Sequence, residues 1–343
     1  MIKVFLVDDS PLACKIIRKI ISSAPDIQVI GEASNGKEAL RIIPVLTPDV
    51  VCIDFKMPIM DGLELTKRIL EIYPVPILII SISVQSYQKD NIFQLLSAGA
   101  LDIIPKPRSY KEGDYQIISH DLISKIKIVS GVKVIRHKPL VAETLEIPPS
   151  GLGKIIPSSR IVAIGASTGG PQTLESILTQ LPADFPLPVI CIQHIDDYFL
   201  KGMVNWLSSI CKMKVMIAKH GDLPQSGTIY FPPPGSYLSI DIGGKFMSFE
   251  RPQSSNSLNT IDITFSSIAQ YYGNTAIGII LTGMGTDGVN GLLKIAQAGG
   301  ITIAQNEASS IIFGMPKEAI NIGAAKHILS PPEITTRLLS LYH

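Results

Sequence analysis

Apolar residues in this chain come in short dense runs separated by stretches of helical periodicity. Ile2 to Val7, Val50 to Ile53, Pro76 to Ser81 and Leu101 to Pro105 are such runs, each followed by polar or turn-forming residues. A strand covered on both faces reads this way, whereas a half-exposed strand alternates. With a shorter run at Gln28–Gly31, residues 1–130 alternate strand and helix five times, the rhythm of a doubly wound parallel sheet. Ser10 then Pro11 supply an N-cap and a proline at the first helical position, predicting a helix through Ile20. Asn35-Gly36 and Gly99-Ala100 punctuate later turns, and a last amphipathic helix is expected from about Tyr115 to Val129.

Residues 131–158 lose the pattern and turn to Lys, Pro and Gly, as in Ile147-Pro148-Pro149-Ser150-Gly151, which reads as a linker. The buried runs resume in residues 159–343, at Ile161–Gly165, Pro188–Gln193, Ala276–Leu281 and Ile301–Ala304. That predicts a second doubly wound α/β domain. Short strands and turns between Lys214 and Phe249, including Pro232-Pro233-Pro234-Gly235, predict a short antiparallel edge on it.

At 343 residues the chain is long enough for two domains, each with its own core. Lys and Arg number 30 against 29 Asp and Glu, a net charge of +1 that gives no reason to expect nucleic acid or a membrane surface as partner. No apolar stretch approaches the length of a membrane span, and Met1-Ile2-Lys3-Val4 runs straight into a strand without a signal peptide. Cys14, Cys52, Cys191 and Cys211 lie far apart, mostly in apolar or helical contexts, and read as reduced thiols of a cytoplasmic protein.

Chemistry gathers where the runs end. Asp8 and Asp9 end the first, Asp54 the third and Lys106 the fifth, so all four are expected on one edge of a parallel sheet. Carboxylates grouped there repel unless a cation sits among them, and a hard oxygen-liganded ion such as Mg2+ suits the set. Asp8, Asp9 and Asp54 are therefore the expected metal ligands, with Asp54 the phosphoryl acceptor. Lys106 and Ser81 are placed to receive the phosphoryl oxygens. The motifs Val7-Asp8-Asp9-Ser10, Asp54-x-x-Met57-Pro58-x-Met60-Asp61-Gly62 and Lys106-Pro107 make this stretch resemble a two-component response-regulator receiver domain. That resemblance implies a flavodoxin-like five-stranded fold. Two positions depart from the receiver pattern: Ile103, where an aromatic residue is usual, and Lys56, where an acid or amide is commoner.

In the second domain Gly165-Ala166-Ser167-Thr168-Gly169 follows a buried strand and precedes a helix opened by Gly170-Pro171. Such a turn can expose a nucleophilic serine at a helix N-terminus, cradle a phosphate, or simply be tight. Partners favour the first reading. His194 ends the run Val189–Gln193, and Asp287 follows Ala276–Leu281 through Thr282-Gly283-Met284-Gly285-Thr286. A hydroxyl, an imidazole and a carboxylate on one sheet edge form a Ser-His-Asp relay of Ser167, His194 and Asp287. The chain order differs from that of α/β-hydrolases.

Taken together, the two domains resemble the chemotaxis protein-glutamate methylesterase family over nearly the full length of the chain. Besides the serine turn, the family's patterns recur at Gln193-His194, Leu281 to Gly288, Ala304 to Ser310 and Phe313-Gly314-Met315-Pro316. The resemblance implies a Rossmann-like catalytic domain needing no cofactor and hydrolysis of glutamyl methyl esters on methyl-accepting chemoreceptors. It also implies glutamine deamidation, oxyanion donors from the backbone of Thr168 and Met284, and a histidine kinase as phosphodonor. One stretch departs: the family's Arg-Pro-Ser-Val-Asp reads Leu258-Asn259-Thr260-Ile261-Asp262. Two rival readings stand beside this one. The second domain could be a non-catalytic phospho-switch, or an amidase or esterase of a non-chemotaxis signalling array.

Overall fold

In the computed structural model the residues described are 1–81, 92–107, 112–132, 134, 160–252 and 259–340. The chain divides into two compact units, Met1–Gly151 and Leu152–His343. Apart from residues 131, 132 and 134, the expected linker lies outside the described residues, as does Leu258.

Among the described residues the first unit holds five strands: β1 (Ile2–Val7), β2 (Ile27–Ala33), β3 (Val50–Ile53), β4 (Ile77–Ser81) and β5 (Asp102–Pro105). They pair in the order β2-β1-β3-β4-β5, every neighbour parallel. The order reverses between β1 and β3, and a crevice opens at the carboxyl ends of strands flanking such a reversal. The helix Pro11–Ile21 starts as its sequence predicts, with Ser10 accepting a hydrogen bond from the Ala13 amide at 3.3 Å.

The second unit contributes β6 (Ile161–Ala166), β7 (Val189–Gln193), β8 (Lys214–Ile217), β9 (Thr228–Phe231), β10 (Ser236–Ile240), β11 (Phe246–Glu250), β12 (Ala276–Ile280), β13 (Ile301–Gln305) and β14 (His327–Leu329). Seven of them form a parallel sheet ordered β14-β13-β12-β6-β7-β9-β8. Every residue of β6, β7 and β12 is buried, which is why these strands read as unbroken Ile/Val/Ala runs. The expected antiparallel pairing exists between β10 and β11, but as a separate two-stranded ribbon and not as an edge of the main sheet. The strands before it, β8 and β9, run parallel and form that edge. Strand order reverses between β6 and β12, the two strands whose ends carry Ser167 and the loop to Asp287. Among the described residues no helix is long and apolar enough to cross a membrane.

All four cysteines are free, and Cys14, Cys52 and Cys191 are buried. Burial pushes the Cys14 thiol up to about 11, Cys52 to about 12 and Cys211 to about 11, and raises Cys191 well above its ordinary value. A raised value keeps the unreactive thiol form through neutral pH. The folded protein should therefore react slowly with Ellman's reagent at pH 8, the partly exposed Cys211 first, and faster as pH rises. All four should react promptly in guanidinium. Prompt release of more than one equivalent from the folded protein at pH 8 would contradict this.

Candidate functional site

In the first unit the reversal between β1 and β3 brings the predicted acids together. Asp8, Asp9 and Asp54 each place a carboxylate oxygen within 4.8 Å of the others, Asp8 and Asp54 buried and Asp9 exposed. Lys106, buried at the end of β5, donates to Asp8 at 2.8 Å and to Asp54 at 2.7 Å. Two further donors hold the acids from behind: the Phe55 amide on Asp54 at 2.7 Å and the Ser10 amide on Asp8 at 2.8 Å. Burial raises the Asp54 carboxyl above its usual range, with the Asp8 charge acting in the same sense and Lys106 opposing it. Burial would lower Lys106, but its bonds to Asp54 and Asp8 outweigh that and leave it raised. Ser81 is buried at the end of β4, and its carbonyl accepts the Lys106 amide at 2.8 Å. Ile103 is buried within β5.

The loop that follows Asp54 carries a backbone feature with no side-chain signature. Ile59, in the loop after Asp54, takes φ 70°, and the Met60 amide bonds back to the Pro58 carbonyl at 2.8 Å. A β-branched residue in the left-handed region is strained by about 1–3 kcal/mol and persists only where its surroundings dictate it.

In the second unit Ala166 pairs with Gln193, so Ser167 and His194 emerge side by side from adjacent parallel strands. The His194 amide donates to the Ala166 carbonyl at 2.9 Å and the Ser167 amide to the Thr282 carbonyl at 3.0 Å, fixing the serine between β7 and β12. Gly169 closes the turn at φ 78°, where a Cβ would sit 2.8 Å from Ile311, and the helix Gly170–Leu178 begins there. His194 Nε2 lies 2.7 Å from Asp287 Oδ2 and 3.2 Å from Thr260 Oγ1. Asp287 is buried and also accepts from the Ile261 amide at 3.0 Å and the Asp262 amide at 2.9 Å. The imidazole and carboxylate predicted to cooperate are thus bonded, and the predicted serine stands on the neighbouring strand end.

Three side chains that lie in the quoted family patterns but were given no role by the sequence hold this edge together. Gln193 is buried and donates from one amide nitrogen to the carbonyls of both Ser167 (2.8 Å) and His194 (2.9 Å). Only the NH2 end can serve two carbonyls, so the amide's orientation is fixed. Thr282 and Gln305 are fully buried. The Thr282 hydroxyl accepts from the Ile312 amide at 2.8 Å and lies 3.1 Å from the Thr168 carbonyl. Gln305 accepts the Thr282 amide at 2.7 Å and donates to the Ser309 carbonyl at 2.8 Å. Thr282 thereby ties the turn carrying Thr168 to the turn carrying Met284. Thr168 is buried, and Met284 stands half-exposed at the rim. Next to it Gly283 passes so close to the serine that a Cβ there would lie 2.6 Å from that of Ser167.

These features define a two-part protein, a receiver sheet with an acidic pocket and a doubly wound α/β domain with a serine-bearing turn. The sequence then gives the family. A model described as CheB methylesterase matches residues 162–338 and one for the response regulator receiver domain matches residues 4–114. The chain belongs to the CheB methylesterase family. It is 39% identical over 345 residues to protein-glutamate methylesterase/protein-glutamine glutaminase 1 of Syntrophus aciditrophicus, covering 99% of this chain and 98% of that one. It is 36% identical over 340 residues to form 3 of that enzyme from Pseudomonas aeruginosa, covering 99% of each. The crystal structure of the Thermotoga maritima CheB methylesterase catalytic domain is 35% identical, matches 54% of this chain and 99% of its own, and superposes with a TM-score of 0.50.

Removing the Thr282 hydroxyl without changing side-chain volume leaves the Ile312 amide without its acceptor in a partly buried place. Thr282→Val should lower unfolding free energy by about 1–3 kcal/mol in urea denaturation. A change within about 0.3 kcal/mol would mean that the two turns hold each other without it.

Proposed function

We propose that the chain is a phosphorylation-gated serine esterase that hydrolyses glutamate methyl esters on the cytoplasmic helices of methyl-accepting chemoreceptors. The observation that carries this reading is the 2.7 Å bond between His194 and Asp287 beside Ser167 on its glycine-bounded turn. With Nε2 engaged by Asp287, Nδ1 is the nitrogen left to take the serine proton as Oγ bonds to the ester carbonyl carbon. The carbonyl electron pair moves onto oxygen, where the backbone amides of Thr168 and Met284 are the assigned donors. Collapse expels methoxide, which takes the proton from His194 and leaves as methanol. Water, deprotonated by the same nitrogen, then releases the glutamate carboxylate and restores Ser167. Glutamine deamidation, the second activity in the relatives' names, follows the same course with ammonia as leaving group. These steps need only groups of the chain itself and water.

In the receiver, Asp54 is the assigned phosphoryl acceptor and a chemotaxis histidine kinase the phosphodonor. The three carboxylates form a hard-oxygen set with Asp9 open to water, which fits Mg2+. Bound there by Asp8, Asp9 and Asp54, the ion would offset charge on the attacking and transferring oxygens. Lys106 and Ser81 are assigned to the phosphoryl oxygens once Asp54 is modified. The net charge of +1 gives no reason to expect nucleic acid as partner, and among the described residues no helix is long and apolar enough to cross a membrane.

Ser167→Ala should cut methanol release from methylated receptor membranes by roughly 10³-fold or more, while the fold persists. His194→Ala or Asp287→Asn added to it should cost little further, because the three act as one unit. Survival of more than about a tenth of the wild-type rate in Ser167→Ala would reject the nucleophile assignment.

Asp54 should become labelled by a small acyl phosphate when Mg2+ is present, and methanol release should rise with labelling. Asp54→Asn should lose both effects, and Asp9→Ala should weaken labelling. Label that persists in Asp54→Asn and maps elsewhere would reject the acceptor.

A further inference from the structure

Two helices next to the serine edge lack the side-chain cap that their N-termini need. The helix Thr260–Tyr272 is preceded by Asn259, whose side chain makes no capping bond, and the helix Val289–Gln297 by Gly288, which has no side chain to offer. Each is capped instead by a carboxylate from the other. Asp287, just before the second helix, accepts from the amides of Ile261 and Asp262, the second and third residues of the first helix. Asp262 in turn accepts from the amide of Gly291, the third residue of the second helix, at 2.6 Å. The Gly288 amide and the Asn290 side chain are its further hydrogen-bonding neighbours. Those are the positions that an N-cap side chain ordinarily satisfies within its own helix.

We infer that Asp262 is a positioning residue for hydrolysis: by capping the helix that starts two residues after Asp287, it holds the Asp287 carboxylate against His194. The inference rests on the catalytic reading of Asp287 proposed above. Three observations bear on it. Asp287 Oδ1 is held by the backbone amide of Asp262 itself, so one residue both anchors the carboxylate and fixes the loop that carries it. Oδ2 shares its place among His194 Nε2, the Ile261 amide and the Thr260 hydroxyl, an arrangement in which a small rotation would lengthen the 2.7 Å bond to the ring. The two helices also pack with little slack. A Cβ at Gly291 would lie 2.5 Å from that of Phe265 and 3.0 Å from the Asp262 carbonyl oxygen, so the two helix starts are in close backbone contact at this glycine. Burial first, and then the nearby Asp287 charge, raise the Asp262 carboxyl above its usual range. A carboxylate kept in so unfavourable a place is held there by the amides it caps.

The test is steady-state methanol release by the full-length chain with acetyl phosphate present, using membranes that carry methylated receptors. Asp262→Ala should lower kcat about 10- to 100-fold with KM changed less than about twofold, the size expected when the partner of a functional group is removed. Asp262→Asn, which keeps the acceptor oxygen for Gly291 but not the charge, should recover most of that loss. Placed in an Asp287→Asn background, Asp262→Ala should lower kcat by less than about threefold, because the group it positions has already been changed. Should Asp262→Ala fail to fold, Asp262→Ser, with a shorter acceptor, must fall below Asp262→Asn in kcat at equal KM. A folded Asp262→Ala with kcat within about twofold of wild type would overturn the inference. So would equal losses in the Asn and Ala variants, or a fully multiplicative loss with Asp287→Asn. Full activity of Asp287→Asn alone would remove the catalytic reading and this inference with it.

Discussion

A carboxylate removed from water is stable only where donors or a cation replace its hydration, and both halves of this chain are arranged around that requirement. In the receiver the charged donor is a buried lysine. Lys106 bridges Asp8 and Asp54 at 2.8 and 2.7 Å, with the Ser10 and Phe55 amides as further donors to the two acids. In the catalytic unit the donors are fixed. Asp287 is held by a hydroxyl and by two helix amides, and the amides cannot move without unwinding the first turn of the helix Thr260–Tyr272.

The difference suits what each carboxylate is proposed to do. An acceptor that gains and loses a phosphoryl group needs a partner able to follow the charge, and a lysine on a flexible stem does so at little cost. A carboxylate that steadies an imidazolium in every turnover needs the opposite. Preorganised amides do not have to reorient as charge develops, and that is where electrostatic stabilisation in a closed site comes from. Gln193 and Thr282 extend the same rigidity to the other members of the edge. One clamps the carbonyls of Ser167 and His194, and the other ties together the two turns that carry Thr168 and Met284.

Much of this arrangement was legible in the sequence because parallel strands buried on both faces leave long apolar runs. Whatever polar residue ends such a run must emerge at the carboxyl edge of the sheet. Asp54 after Val50–Ile53, Ser167 after Ile161–Ala166 and His194 after Val189–Gln193 could be placed in that way. The less legible parts depend on partners distant in sequence. Asp262 bonds Gly291 and Gln305 bonds Thr282, pairs 29 and 23 residues apart that no local pattern announces. Strand β14 is three residues long with only partial burial at its ends, too short for periodicity to register. The pairing of β8 and β9 with the main sheet escaped for a related reason, since their closeness in sequence to the β10–β11 ribbon suggested a single antiparallel meander. Ile59 shows the limit most clearly: its left-handed backbone is imposed by the loop it sits in and runs against its own preference.

The same donor logic bears on how the receiver would signal without an aromatic residue at position 103. Ile103 is buried in β5 and has no polar tip to exchange between a wet and a dry position. What links the acidic pocket to the strand ends is backbone: the Lys106 amide is bonded to the Ser81 carbonyl at 2.8 Å, and Ser81 pairs with Pro105 across β4 and β5. A phosphoryl group on Asp54 would draw Lys106 and the Ser81 hydroxyl towards one centre. Because their main chains are already bonded, the ends of both strands would move as one piece. A joint shift of the ends of β4 and β5, rather than rotation of a ring behind them, is the change that these contacts can produce. A change of that kind needs to alter the free energy of a partner contact by only about 1–3 kcal/mol to act as a switch.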